Sequence, residues 1–295
     1  MNKKRIKIWN ITLVMSVLLS FSLRAIPIWT NKVSGGDDIM LGTIHLGDER
    51  LNSLPDEIKA LVDNADLIVM ELDLSRYSQS QMQQMMMEYG GLPAGESLHQ
   101  HLSSNVYKKV QNHLEKVGYS IEQFARVKPW MLALSMVQIS YVQQGLRADK
   151  GVDKQIEAYA LATGKKIFPL ETFKQQLNFF NAIIEQNPQL SNDELVMDTL
   201  LELEQFSDLP QQMLSAWFSG DMTLFETFYQ QTLGQTNFDK GAEKVLLTDR
   251  NLTWHQQLPE LFKQHKVLVA VGTLHFVGKN GLPNLFLGEF KQVTH

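Results

Sequence analysis

The stretch Lys266-Val-Leu-Val-Ala-Val-Gly-Thr-Leu-His275 decides how this chain folds. Its apolar run stops at Gly272, and a histidine follows three positions later. A continuous, largely β-branched run of this length reads as a strand buried on both faces, and the glycine as a tight turn that presents an imidazole beyond it. The pattern recurs near the start, in Asp38-Ile-Met-Leu-Gly-Thr-Ile-His45. Between the two lie Asp66-Leu-Ile-Val-Met-Glu71 and Lys165-Lys-Ile-Phe-Pro-Leu-Glu171, strand-like runs that each end in a carboxylate. Strands of one parallel sheet share a carboxyl edge, and ligands of open α/β sheets sit along that edge. Two histidines and two glutamates are therefore expected to converge from four distant parts of the chain.

Helical sequence separates these strands. Residues 54–64 read as a helix entered through Pro55, whose missing N–H is no loss in a first turn. Residues 151–163 read as another, closed by Gly164. The longer segments 78–150 and 173–235 are helix-rich and lack the strand pattern. Gly90-Gly-Leu-Pro93, Lys128-Pro129-Trp130 and Trp217-Phe-Ser-Gly-Asp221 punctuate them, with Ser97 and Ser120 as caps. A last long helix over 241–265 carries Asp249-Arg250-Asn251 into the His275 strand, after an extended lead-in over 26–36 at the other end of the chain. Residues 281–290 suggest a short helix and 292–295 an edge strand. The expected fold is α/β (α+β) and helix-rich overall, a single domain over residues 26–295 built on a small, mostly parallel sheet. Its helical insertions, about 78–150 and 173–235, cap the carboxyl edge and form a cleft. Met82, Met85, Met86 and Met87 lie at helical spacing and are expected as adaptable core, while His99, His101 and His113 read as solvated or capping histidines.

Residues 1–25 stand apart as a signal peptide: a basic start, an apolar stretch over 8–23, then Ala25 before Ile26-Pro27. The apolar stretch is short and polar-interrupted for a bilayer span, so the chain is expected in the periplasm or secreted, touching a membrane only if the segment is uncleaved. Losing Lys3, Lys4, Arg5, Lys7 and Arg24 shifts the net charge from −5 to −10. So acidic a surface disfavours nucleic acid and anionic membranes as partners; the partner expected, on grounds given below, is a peptide or small-molecule substrate. The sequence has no cysteine, which excludes thiol catalysis, disulfides and thiolate metal sites.

A metal must then be held by histidine, carboxylate, carbonyl or water. His45, Glu71 and His275 supply two imidazoles and a carboxylate on three strand ends, a set that suits a catalytic divalent ion (Mn, Co or Zn) with an open position for water. Gly42 and Gly272 are expected to let the backbone turn and approach the ion, and Thr43 and Thr273 to orient the loops or a water. Glu71 or Glu171 would steer that water or shuttle its proton, although each could instead serve as a cap or a salt-bridge partner. Asp73 is a competing ligand. Arg250 has a planar fork suited to an oxyanion or a substrate carboxylate, or else to an ordinary ion pair. His275, past the end of its strand, is expected at an open edge of the sheet. There is no His-Glu-x-x-His, Gly-x-Ser-x-Gly, Walker loop or dinucleotide fingerprint.

Gly42-Thr-Ile-His45 and Gly272-Thr-Leu-His275 resemble the paired Gly-x-x-His motifs of the TraB/GumN family, which includes the Tiki metalloproteases. The resemblance extends to Val69-Met-Glu71-Leu-Asp73, Lys128-Pro129-Trp130, Gly151-Val-Asp153, Leu170-Glu171-Thr172, the Trp217 to Asp221 segment and Asp249-Arg250-Asn251, in the family's order. It implies a divalent-metal hydrolase fold related in its core to erythromycin esterases and to a haem-binding lipoprotein group, with peptide cleavage using Mn or Co in Tiki members. The family's motif histidines map onto His45 and His275, its acid onto Glu71 and its arginine onto Arg250. The expected function is an exported metal-dependent hydrolase acting on peptides. The alternatives are an esterase or amidase on the same site, or a non-catalytic periplasmic binder of a peptide, metal or haem.

Overall fold

The computed structural model describes residues 26–31, 36–231 and 237–293; residues 1–25, where a signal peptide is expected, and residues 294–295 lie outside them. In chain order the strands are β1 (Ile28–Thr30), β2 (Ile39–Thr43), β3 (Leu67–Met70), β4 (Lys166–Pro169), β5 (Val267–Gly272) and β6 (Lys291–Gln292). They form one sheet in the order β4-β3-β5-β2-β1-β6. The four strands named from their apolar runs are parallel to one another, and β1 and β6 add an antiparallel edge, so the sheet is mixed. The lead-in pairs as β1, and the edge strand forms at 291–292.

Alternation within the central strands dictates a sheet covered on both faces. Val267, Val269 and Val271 of β5 join Met40, Leu67 and Val69 in the core on one face, with Trp254 and Leu258 packed there. Leu268 and Ala270 join Leu41, Ile68 and Met70 on the other, where Ile156 and Trp217 cover them. Each such side chain taken fully from water is worth about 1.5–3 kcal/mol. The register then lines up the strand ends: Thr43 pairs with Gly272, and Met70 with both Ala270 and Pro169. Glu71, Glu171, His45 and His275 all follow that line.

The helices are α1 (Asp56–Asn64), α2 (Gln79–Gly90), α3 (Leu98–His101), α4 (Ser104–Lys116), α5 (Pro129–Gln143), α6 (Val152–Ala162), α7 (Phe173–Gln186), α8 (Asn192–Gln205), α9 (Leu209–Ser219), α10 (Thr223–Gln231), α11 (Asn237–Glu243), α12 (Asp249–Gln264) and α13 (Leu282–Leu285). Their starts follow local chemistry: Ser78, Ser97, Thr172 and Ser191 each form a capping box with the glutamine or glutamate three positions on. Pro129 opens α5, and Gly220 ends α9 in the left-handed conformation. Val106, Val110 and Leu114 make one buried stripe on α4, packed against Leu132 and Met136 of α5 and Val196 and Leu200 of α8. The two insertions therefore share a core of their own. Among the described residues no helix is long and apolar enough to cross a membrane.

Two expectations change. The methionine stripe is not core: only Met85 is buried, whereas Met86 and Met87 face solvent, because α2 packs a single narrow face against α7. The helix expected over 241–265 is broken into α11, a π-helical turn at Lys244–Thr248, and α12. Arg250 is the second residue after that turn.

Candidate functional site

His45 is carried on the loop after β2, and the first turn of α6 holds that loop. The Val152 N–H donates to the Ile44 carbonyl at 2.8 Å. Gly151 presses so close that a Cβ there would lie 2.2 Å from the His45 carbonyl oxygen. This close approach places Asp153 against both motif side chains, accepting from the Thr43 hydroxyl and facing His45 Nδ1 at 2.9 Å. The Asp153 charge raises the His45 pKa to about 9, although 67% of the histidine side chain is open to solvent, which screens the pull. With Nδ1–H given to Asp153, His45 points Nε2 towards the strand ends, where it offers a lone pair once that nitrogen gives up its proton.

Glu71 follows β3 and is buried. Its Oε1 accepts from the Gly272 N–H at 2.8 Å, and its Oε2 accepts from Arg250 Nη2 and from Gln176 Nε2 at 3.3 Å. Burial alone would raise its pKa, but the Arg250 charge and the imidazoles outweigh that and hold it well below the usual carboxylate range. Glu171 lies beside it, its N–H donating to the Glu71 carbonyl at 3.0 Å. Both Glu171 oxygens are saturated: Arg250 donates from Nε at 2.8 Å and from Nη2 at 2.9 Å, Trp254 Nε1 at 3.0 Å and Gln176 Nε2 at 3.1 Å. Arg250 thus bridges two buried carboxylates, with its guanidinium carbon over the rings of Phe179 and Trp254.

His275 sits in a single turn, Thr273–Phe276, and is 3% exposed, not at an open edge as the sequence suggests. Trp254, on α12, covers its ring at 4.4 Å between centroids, and this helix cannot be placed over the strand end from sequence alone. His275 Nδ1 lies 2.6 Å from Asn251 Oδ1, and Nε2 lies 3.2 Å from Arg250 Nη1 and 3.7 Å from Glu71 Oε1. Burial pushes its pKa down to about 3, so the ring is neutral with its Nε2 lone pair turned inward.

The expected residues therefore meet, and Gly272 is where they meet. A Cβ on Gly272 would lie 3.2 Å from Glu71 Oε1, 3.5 Å from His45 Nε2 and 3.7 Å from His275 Cδ2. The space left by that missing side chain is rimmed by two imidazoles and a carboxylate, a donor set of the kind a divalent ion takes. Each imidazole has its other nitrogen fastened by an acid or amide, the usual support of a metal-binding histidine. As they stand, no three or more His, Asp or Glu side chains among the described residues form a metal-holding group. Arg250 explains why, since its guanidinium engages Glu71 Oε2 and the His275 lone pair. The chemistry of the set fits an ion, with Arg250 competing for two of its members.

Other expectations are revised by contact. Gly42 does not face this space: a Cβ there would strike Thr273 Oγ1 at 2.9 Å and Pro27 at 3.2 Å, so its glycine allows the two motif strands to interlock. Neither Gly42 nor Gly272 has a positive φ, so close approach, not turn strain, accounts for both. The threonines orient the loops as expected, Thr273 Oγ1 donating to the Thr43 carbonyl at 2.8 Å. Asp73 turns away to Ser75 Oγ and Arg76 Nε. His99 and His101 lie on α3 against Tyr107 and Glu96, and His113 on α4, none of them among the site's contacts. Gln176 and Trp254 carry no sequence signal at all; Asp153 and Asn251 appear only inside motif fragments.

A cleft of about 510 Å3 opens directly on His45 and Glu71, roofed by α5 and α7 from the two insertions. The family model described as TraB/PrgY/gumN family matches residues 28–288 of the chain. Uncharacterized protein YbaP of Escherichia coli strain K12 is 28% identical over 246 residues, covering 83% of this chain and 86% of that protein. YbaP of Shigella flexneri matches to the same extent. An uncharacterized protein of Treponema pallidum strain Nichols is 24% identical over 156 residues, covering 52% of this chain and 46% of its own. No solved structure matches.

Proposed function

This chain belongs to the TraB/PrgY/gumN family, and on that premise we propose that it is an exported, divalent-metal-dependent hydrolase whose substrates are peptides. One observation carries the reading: His45 Nε2, Glu71 Oε1 and the His275 ring surround the void at Gly272. His45 and His275 would hold the ion through Nε2, with Glu71 as the third ligand. When bound, a divalent ion lowers the pKa of a water towards neutrality and polarises the carbonyl to be attacked. Asp153 and Asn251 occupy Nδ1 of the two rings, so each ring can present only Nε2 to an ion: His45 after releasing its Nε2 proton, His275 after Arg250 lets go of its lone pair.

The two acids divide the remaining work. Glu71 Oε1 has a single close donor and faces the rings, so it can bond the ion or steer the attacking water. Glu171 receives four hydrogen bonds and has no lone pair to spare for a proton, so its task is to fasten Arg250. Arg250 stands beside Glu71 and His275 with its charge matched by Glu71 and Glu171; an ion that took over Glu71 and His275 would release its Nη groups to meet an oxyanion. The open side of His45 faces the cleft, where a substrate enters.

The test loads metal-free protein with Mn, Co or Zn and assays a peptide library beside His275→Ala. Cleavage with one of these metals, lost in the variant together with metal content, is expected. Wild-type turnover and occupancy in His275→Ala would make the histidines structural, and tight haem binding without metal-dependent turnover would favour a binding protein. Export is tested by the N-terminus of protein recovered from its host, expected near Ile26.

A further inference from the structure

We propose that the cleft selects peptides with a bulky apolar side chain beside the bond to be cut, with Leu134 and Phe173 as the walls that receive it and Gln138 as the group that holds the peptide backbone. The cutting rests on the hydrolase reading above; the binding does not.

The cleft's charged lining is already satisfied from within. Asp153 serves His45 and Thr43, and Lys154 pairs with Glu157, which also accepts from the Ser75 N–H at 3.0 Å. Gln176 spends its amide N–H groups on Glu71 and Glu171. What remains to meet a ligand is apolar: Met70, Leu72 and Leu74 from the end of β3 and its loop, Leu134 from α5, and Phe173 at the start of α7. A charged ligand side chain placed there would find no free counter-ion and would lose its water, whereas an apolar one gains by leaving water. The volume of about 510 Å3 lies within the range of about 300–1,000 Å3 typical of small-ligand pockets.

Gln138 is the polar exception. It stands four residues after Leu134, on the same face of α5. It lines the cleft, is exposed, and has no hydrogen-bond partner among the described residues. A carboxamide offers both a donor and an acceptor, the pair that a peptide group requires. A peptide seated by Gln138 with its side chain between Leu134 and Phe173 therefore has its backbone next to His45 and Glu71.

Binding to the metal-free full chain tests this without turnover. The probes are acetylated, amidated tetrapeptides that differ in one central residue, Phe, Leu, Ser or Asp, titrated by calorimetry. The Phe and Leu peptides are expected to bind at least about tenfold tighter than the Ser and Asp peptides. Leu134→Glu should erase that preference, and Phe173→Ser should do so independently if the first variant folds poorly; circular dichroism reports the fold. Gln138→Ala should weaken all four peptides by a similar factor. Equal binding across the series, no measurable binding of the Phe peptide, or a preference that survives both wall variants would overturn the proposal. The same peptides given to metal-loaded protein separate the two readings. A binding preference without cleavage under any metal strikes the hydrolase and leaves the pocket, whereas cleavage indifferent to the central residue strikes the pocket and leaves the hydrolase.

Discussion

Asn251 grips His275 at two points: its Oδ1 faces ring Nδ1 at 2.6 Å, and its Nδ2 donates to the His275 carbonyl at 3.0 Å. The same Nδ2 donates to the Asn280 carbonyl at 2.8 Å, so two carbonyls fix which end of the amide is nitrogen. The oxygen must then face the ring, and the ring must carry its proton on Nδ1. Asn251→Ala is expected to leave buried acceptors unpaired and to cost about 1–3 kcal/mol in denaturant unfolding. Metal affinity should fall by about 10–100-fold, as it does when the outer partner of a ligand histidine is removed. Unchanged affinity in a folded Asn251→Ala protein would show that this grip does not prepare a ligand.

Arg250 is the keystone of a buried charge cluster, and deleting it abandons two carboxylates. Arg250→Ala should lose about 3–5 kcal/mol of stability, because each acid keeps its desolvation without its counter-charge. Arg250→Lys should recover part of this but not all, since an ammonium cannot span both acids with one planar fork. Because the guanidinium competes for Glu71 and for the His275 lone pair, added Mn should raise the melting temperature of Arg250→Ala more than that of the unaltered protein. A smaller shift in the variant would mean that no such competition exists.

The two motif histidines should titrate on opposite sides of the ordinary histidine value in metal-free protein. His275 is held down to about 3 by burial, against an ordinary value of 6.5. Its contribution to stability is therefore present above pH 6.5 and is lost as pH falls towards 3. His45 is raised to about 9 by Asp153, so its contribution is present below pH 6.5 and is lost as pH rises through 9. His45 is the more solvated of the two, so the acid-side loss should dominate. Ring proton resonances followed by NMR would show this directly, and a His275 ring titrating near 6.5 would refute it.

Gly272→Ala isolates the void. The added Cβ would stand 3.2 Å from Glu71 Oε1 and 3.5 Å from His45 Nε2, a tight fit that those side chains can relieve by moving apart. Stability should change by only about 1 kcal/mol. Metal affinity should nevertheless drop at least about tenfold, because the donors no longer close on one point. Metal titration of the folded variant is the check, and wild-type affinity would place any ion elsewhere.

Much of this architecture was legible in the chain. Buried parallel strands leave unbroken apolar runs, and the residues that end them, His45, Glu71, Glu171 and His275, interrupt those runs conspicuously. Arg250 was visible as a cation on the helix feeding β5. What the sequence hides is how each helix is rotated against the sheet. Asp153, Gln176 and Trp254 reach the site because α6, α7 and α12 pack at particular angles, which no spacing rule reports. The same ignorance put His275 at an open edge, when α12 in fact covers it. Met86 and Met87 looked like core because helical spacing alone cannot say how much of a face is covered.

The strand order has a consequence for how the molecule is made. β5 lies between β2 and β3, yet Asp38 and Val267, joined by a hydrogen bond at the start of that pairing, are 229 residues apart. During synthesis β2 and β3 leave the ribosome long before the strand that separates them exists. Their facing edges stay unpaired until it arrives, and contacts of such long range make for slow folding. A growing chain can gather helices and local cores, but neither His275 nor Gly272 has yet been added to it. The proposed ion site is therefore incomplete until the last central strand is inserted: a nascent chain carries His45 and Glu71 but neither His275 nor the void at Gly272.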